Sequence, residues 1–185
     1  WRMKTQDILT PDSFYVGLRD LEQWAKQTEQ PMDRAILHSL IAEFYANYAA
    51  DNQWQLRQRT EIVGETPSAD IREWTANMFV EKVRTNVKEA LADSLLLLKT
   101  SSRNYIPFVE LGETSEYYHH DMYHLLASRA VRALNQIERL ERGSFNGITV
   151  SPVKQDIINI YERMADAYET AGLKEGYVLT MLQYL

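Results

Sequence analysis

Ala42-Glu43-Phe44-Tyr45 and Ala165-Asp166-Ala167-Tyr168 align as Ala-acidic-x-Tyr, and the register continues from both without a gap. Trp54 then falls on Tyr177, and Leu56 on Leu179, so the shared pattern closes on aromatic-x-Leu. Each copy reads as two antiparallel helices joined by a short turn. A small Ala lets the helices approach, and Tyr fills the groove between them. Repeated helical hairpins of this kind build tetratricopeptide-like arrays. Chance similarity between two amphipathic helices would leave the same trace.

Outward from these two segments, apolar residues recur at three- and four-residue spacing almost throughout, which is the helical period. Phe14, Leu18, Leu21, Trp24 and Ala25 share a first helix, and Pro31 opens a second carrying Ile36, Leu37, Leu40, Ile41, Phe44, Tyr45 and Tyr48. After Gly64-Glu65-Thr66-Pro67-Ser68 the spacing predicts the longest helix, residues 69–99, with Ile71, Trp74, Met78, Val83, Val87, Leu91, Leu95 and Leu98 in one stripe. Residues 100–116 form the main loop, pinned across helix ends by Tyr105, Ile106, Phe108 and Val109. A histidine-bearing helix follows to about Leu140, with Met122, Leu126, Ala130, Ala133, Ile137 and Leu140 inward. Ser151-Pro152 starts another helix, which stops at Gly172 before a last one from Leu173. The expectation is an all-α fold: antiparallel helical hairpins in a tetratricopeptide-like right-handed array, with about six to eight helices. Residues 1–185 form one helical domain, with a possible subdivision into 1–99 and 117–185 around the loop. The apolar pattern at both ends reads as a piece of something longer.

The 26 acidic and 20 basic residues leave a formal net charge of −6. Arginines such as Arg57, Arg59, Arg103 and Arg132 are scattered among acids, so the clustered cations that duplex binding needs are missing. Neither nucleic acid nor an anionic membrane surface is an expected partner. No cysteine is present, which removes disulfides, thiolate metal sites and cysteine nucleophiles. The longest wholly apolar run, Leu95 to Leu98, falls far short of a membrane span, so no direct membrane insertion is expected.

His119, His120 and His124 offer the one cluster with chemical promise. His120 and His124 at i and i+4 would share a helical face, with Asp121 or Glu116 as a third ligand. Yet Asp121 stands where a zinc peptidase has its glutamate base, and polar residues are expected at a helix start in any case. The reading is therefore no metal, no cofactor and no catalytic residue, with a metal-dependent enzyme as the weakest alternative. Glu43, Glu61, Glu65 and Glu110 single out no acid–base pair. Trp24, Trp54 and Trp74 fall in their helices' apolar stripes and are expected in the core. Tyr15, Tyr117, Tyr118 and Tyr123 are expected at the surface, as candidates for a contact face.

Four phrases, taken in order, resemble the helical N-terminal region of large bacterial alpha-2-macroglobulin-like proteins. They are Leu40-Ile41-Ala42-Glu43-Phe44-Tyr45-Ala46-Asn47-Tyr48, Asn52-Gln53-Trp54-Gln55-Leu56-Arg57-Gln58-Arg59-Thr60, Asp70-Ile71-Arg72-Glu73-Trp74 with Phe79-Val80-Glu81-Lys82, and Met122-Tyr123-His124-Leu125-Leu126-Ala127-Ser128-Arg129-Ala130. The fit covers roughly residues 35–135. Where that group has Asp after the Tyr of the last phrase, this chain has His124, and the doubled His119-His120 is foreign to it. The resemblance implies a multidomain cell-envelope parent, an endopeptidase inhibitor that entraps proteases, periplasmic or secreted or lipid-anchored through segments outside this sequence. The piece in hand would be a non-catalytic scaffold. Its partners would be other domains of the parent chain and, through the parent, proteases or envelope proteins. A free-standing tetratricopeptide-like adaptor for peptides or glycans is the alternative. Arg129 is expected to pair with a helix-end carbonyl or a carboxylate.

Overall fold

The computed structural model describes residues 13–59, 68, 70–106, 120–141 and 151–184. Among them are eight α-helices and no strand: α1 (Ser13–Gln27), α2 (Pro31–Asp51), α3 (Gln53–Gln58), α4 (Ala76–Ala90), α5 (Ser94–Lys99), α6 (Met122–Glu138), α7 (Pro152–Thr170) and α8 (Lys174–Tyr184). Two 3-10 turns, Ile71–Glu73 and Ser102–Tyr105, stand before α4 and after α5.

Partner positions fix the helix directions. Tyr45 donates to Glu22 at 2.9 Å while Tyr48 meets the Tyr15 ring, so α1 and α2 are antiparallel. His38 bonds Asn86 and Tyr45 meets Phe79, which sets α4 antiparallel to α2. Ser39 pairs with Arg129 and Asn47 with Gln136, so α6 runs parallel to α2. Tyr168 reaches Asp121 and Lys154 reaches Glu138, turning α7 back along α6. Tyr168 against Gly176 and Tyr161 against Tyr184 turn α8 back along α7. Three antiparallel pairs, α1/α2, α4/α6 and α7/α8, therefore succeed one another.

α2 is the centre of the packing, touching α1, α4 and α6. Its small residues Ala35, Ala42, Ala46 and Ala49 are buried with Leu37, Ile41 and Tyr45, so burial is not confined to one narrow stripe. Around it Tyr45, Tyr48, Trp74 and Phe79 interlock; Tyr45 stacks on Trp74 with ring centres 5.3 Å apart. A single apolar cluster reaches from Leu18 to Tyr168.

Three expectations are corrected. The first copy of the repeat is not a returning hairpin: Asn52 N–H bonds Tyr48 O and Leu56 N–H bonds Asn52 O, so the hydrogen-bond ladder bends into α3 without reversing. The second copy does reverse. Gly172, at φ 70°, ends α7 in a Schellman turn with Leu173 N–H on Tyr168 O and Gly172 N–H on Glu169 O. The equivalence survives in Tyr45 and Tyr168, both buried and both donating at 2.9 Å to a carboxylate.

The long helix of residues 69–99 is in fact a 3-10 turn, α4 and α5. Trp74 and Thr75, in extended backbone, separate the 3-10 turn from α4, and Asp93 starts α5 by accepting Leu96 N–H as Asp70 starts the 3-10 turn by accepting Arg72 N–H. The break at Asp93 rotates Leu95 out to 66% exposure. Finally, the histidine-bearing helix begins only at Met122, after Asp121 in extended backbone, so His120 lies outside it.

Candidate functional site

Where α1, α2 and α6 meet, they leave an apolar groove of about 600 Å³. Leu37, Met122 and Leu126, all buried, lie deepest, while half-buried Leu21, Ile36, Leu40 and Leu125 form its sides. Trp24 lines it at 57% exposure. Leu18 and Ala25, seven residues apart, return to one side of α1 and enter the core. Trp24 stands about 120° round the helix from Leu18 at 3.6 residues per turn. It therefore falls on the flank of the stripe, where the groove opens. An apolar concavity with few polar groups is the ordinary form of a binding site.

The polar groups are few and placed. Arg129 ion-pairs with Glu43 and donates from Nε to Ser39 Oγ at 3.2 Å, joining α6 to α2. The pairing of Arg129 with a carboxylate is the expected one. Asp33 also lines the groove, with Tyr105 from the 3-10 turn. Burial raises the Tyr105 phenol above its ordinary range, and the Asp33 carboxylate adds to that. Tyr105 is positioned by two hydrogen bonds that clamp its chain segment to the entry of α6: Ser102 N–H to His120 O and Met122 N–H to Thr100 O, each 2.8 Å.

His120 and His124 do not come together on one helical face. His119 and Glu116 lie outside the described residues. Asp121 is the N-cap of α6, with φ −98° and ψ 160°, so His120 and His124 do not occupy successive turns of one helix. Both Asp121 oxygens are engaged: Oδ1 accepts His124 N–H at 2.7 Å and Oδ2 accepts the Tyr168 hydroxyl at 2.9 Å. Among the described residues no three His, Asp or Glu side chains converge on a point where a metal ion could sit. The fourth histidine, His38, bonds Asn86 Oδ1 at 2.8 Å, and Asn86 in turn donates to Lys82 O.

Of the tyrosines expected at the surface, Tyr117 and Tyr118 lie outside the described residues. Tyr123 is 2% exposed, because it follows the cap and points its ring into the α6 core. Tyr15 is half-buried against Tyr48, and the Arg72 guanidinium lies 5.0 Å from its ring centre. Burial and the neighbouring Tyr48 push its phenol up to about 12.

Trp74 is buried, but Trp24 and Trp54 are not. Trp54 is 73% exposed and Leu56 1%. Two residues of a helix stand about 200° apart, so aromatic-x-Leu cannot turn both side chains inward. That signal was present in the spacing. The groove itself had none, since it joins residues from three distant segments. Glu61, Glu65 and Glu110 lie outside the described residues, and Glu43 is held by Arg129.

Comparison with protein-family models, curated proteins and solved structures finds no match for this chain.

Proposed function

We propose that this chain is a non-catalytic helical interaction module, and that it holds a protein partner through the groove between α1, α2 and α6. The observation that carries the reading is Trp24, a large aromatic side chain left 57% exposed beside an apolar concavity. Exposed aromatic anchors next to apolar pockets are the usual energetic centres of protein contacts. α8 adds support. It turns its small residues Gly176 and Thr180 toward α7 and leaves Val178 and Leu182 outside, at 53% and 64% exposure. A helix apolar on both faces is suited to being covered on both.

The parent in this reading is an alpha-2-macroglobulin-like protein of the cell envelope, and the partners are its own further domains or the proteases and envelope proteins it meets. The support is the four phrases of residues 35–135, whose Ala42, Tyr45, Leu56, Trp74, Phe79, Leu126 and Ala130 are buried packing residues. Such a family mark would be carried by packing and not by chemistry.

The test is a photo-reactive amino acid at position 24, expressed in the parent's cells. It should crosslink to one protein or to another part of its own chain, and Leu125→Glu on the groove wall should abolish the crosslink while circular dichroism shows the chain still folded. A crosslink that never forms, or that ignores Leu125→Glu, defeats the reading.

A further inference from the structure

A second cleft, of about 420 Å³, lies between α4 and α7 with Tyr123 of α6 in its lining. It is chemically unlike the groove. Val87, Leu91 and Ile160 give it an apolar wall, and Arg84, Lys88 and Arg163 bring three cations to the same space. Glu81 and Asp156 line it as well, so three cations stand against two carboxylates.

Arg84 is already committed. Its Nε lies 2.5 Å from Asp156 and its Nη1 2.9 Å from Glu81, which ties α4 to α7 and forms one side of the cleft. Lys88 and Arg163 are different: neither has an ion-pair or hydrogen-bond partner among the described residues. Asp166, one turn beyond Arg163, does not pair with it there either.

Tyr123 supplies the second, independent observation. Its side chain is 2% exposed, yet its hydroxyl has no hydrogen-bond partner among the described residues. A buried tyrosine hydroxyl is normally bonded. The residue lines the cleft, and no described residue takes that hydrogen bond. Burial keeps the phenol protonated; the Arg163 guanidinium opposes this, and the Asp121 and Asp166 carboxylates reinforce it. The group is therefore an O–H donor lining the same cleft as the Arg163 guanidinium.

We propose that this cleft binds a small organic anion, with its apolar body against Val87, Leu91 and Ile160 and its oxyanion head held by Lys88, Arg163 and the Tyr123 hydroxyl. Arg offers planar paired donors to an oxyanion and Lys a point charge, and the phenol adds a third donor from a dry floor. The cleft volume falls in the range of small-molecule sites.

Phenyl phosphate is the probe, followed by amide chemical shifts of the full chain in solution. It should bind saturably and shift amides around Lys88, Tyr123 and Arg163. Inorganic phosphate, lacking the body, should bind about tenfold more weakly or worse, as should phenyl phosphate to Arg163→Gln, one charge-assisted contact being removed. Tyr123→Phe keeps the ring and the fold and should weaken binding several-fold; Lys88→Gln, an exposed position, is the second charge variant. No saturable shift at millimolar phenyl phosphate overturns the proposal. So does binding that survives Arg163→Gln and Lys88→Gln unchanged, or inorganic phosphate binding as tightly as phenyl phosphate.

Discussion

Asp121→Ala should destabilise this protein far more than a surface carboxylate would. Asp121 is 3% exposed and its two oxygens serve two different elements: one caps α6 through His124 N–H, the other receives the Tyr168 hydroxyl from α7. Loss of an N-cap costs about 0.5–2 kcal/mol. A buried hydroxyl deprived of its acceptor costs about 1–3 kcal/mol more, and Tyr168 is fully buried. The sum is about 1.5–5 kcal/mol, which for a chain of this length lowers the melting temperature by about 3–20 °C. Thermal unfolding followed by far-ultraviolet circular dichroism measures it. Tyr168→Phe removes the hydroxyl instead, and the double variant should be less destabilised than the two singles summed, with a coupling of about 1 kcal/mol or more. Asp121→Asn, which still caps, should lose less than Asp121→Ala. If Asp121→Ala melts within about 2 °C of the native protein, or if the two losses simply add, Asp121 is not the joint between α6 and α7.

Two further outcomes follow from the same packing. Gly176→Ala places a Cβ 2.8 Å from the Tyr168 ring, so α8 must move away from α7; the expected cost is about 1–3 kcal/mol, read as a lower denaturation midpoint. Tyr15 titrates near 12 in the fold and near 10 unfolded, so the folded state holds its proton longer. Its contribution is therefore intact below pH 10 and lost as pH rises toward 12. Phenolate absorbance at 295 nm should report this delayed ionisation as a difference between native protein and Tyr15→Phe, and an ionisation at the ordinary pH would contradict it.

Helical period and helix punctuation were legible before any coordinates. The inward set Met122, Leu126, Ala130, Ala133 and Ile137 of α6, with Leu140 just past its end, is buried as spaced, and Ser151-Pro152 and Gly172 begin and end α7 where their chemistry requires. Reading failed where a side chain could bond its own backbone. Asp70, Asp93 and Asp121 each accept an amide of the following turn; Asp93 starts a separate helix inside an expected one, and Asp70 and Asp121 set where helical turns begin. A carboxylate in a helical pattern is polar filler to a periodicity argument and a cap to the backbone. Spacing alone does not tell which.

The sequence by itself determined that the chain is helical, because the apolar period is a local property of each segment. It also determined where small residues permit close approach, and that nothing in the chain supplies thiol chemistry. Only the tertiary structure decided which aromatic residues are core and which are surface. Trp24 and Trp54 sit on exposed sides of α1 and α3, while Trp74, in extended backbone just before α4, stacks on Tyr45, and these differences acquire meaning only when neighbours are placed. The same holds for both concavities. The groove draws on residues from Leu21 to Arg129 and the anion cleft on residues from Glu81 to Arg163, joined by the parallel run of α2 with α6 and the return of α7. A site made at the junction of distant helices has no period, and so leaves no mark on the chain until it folds.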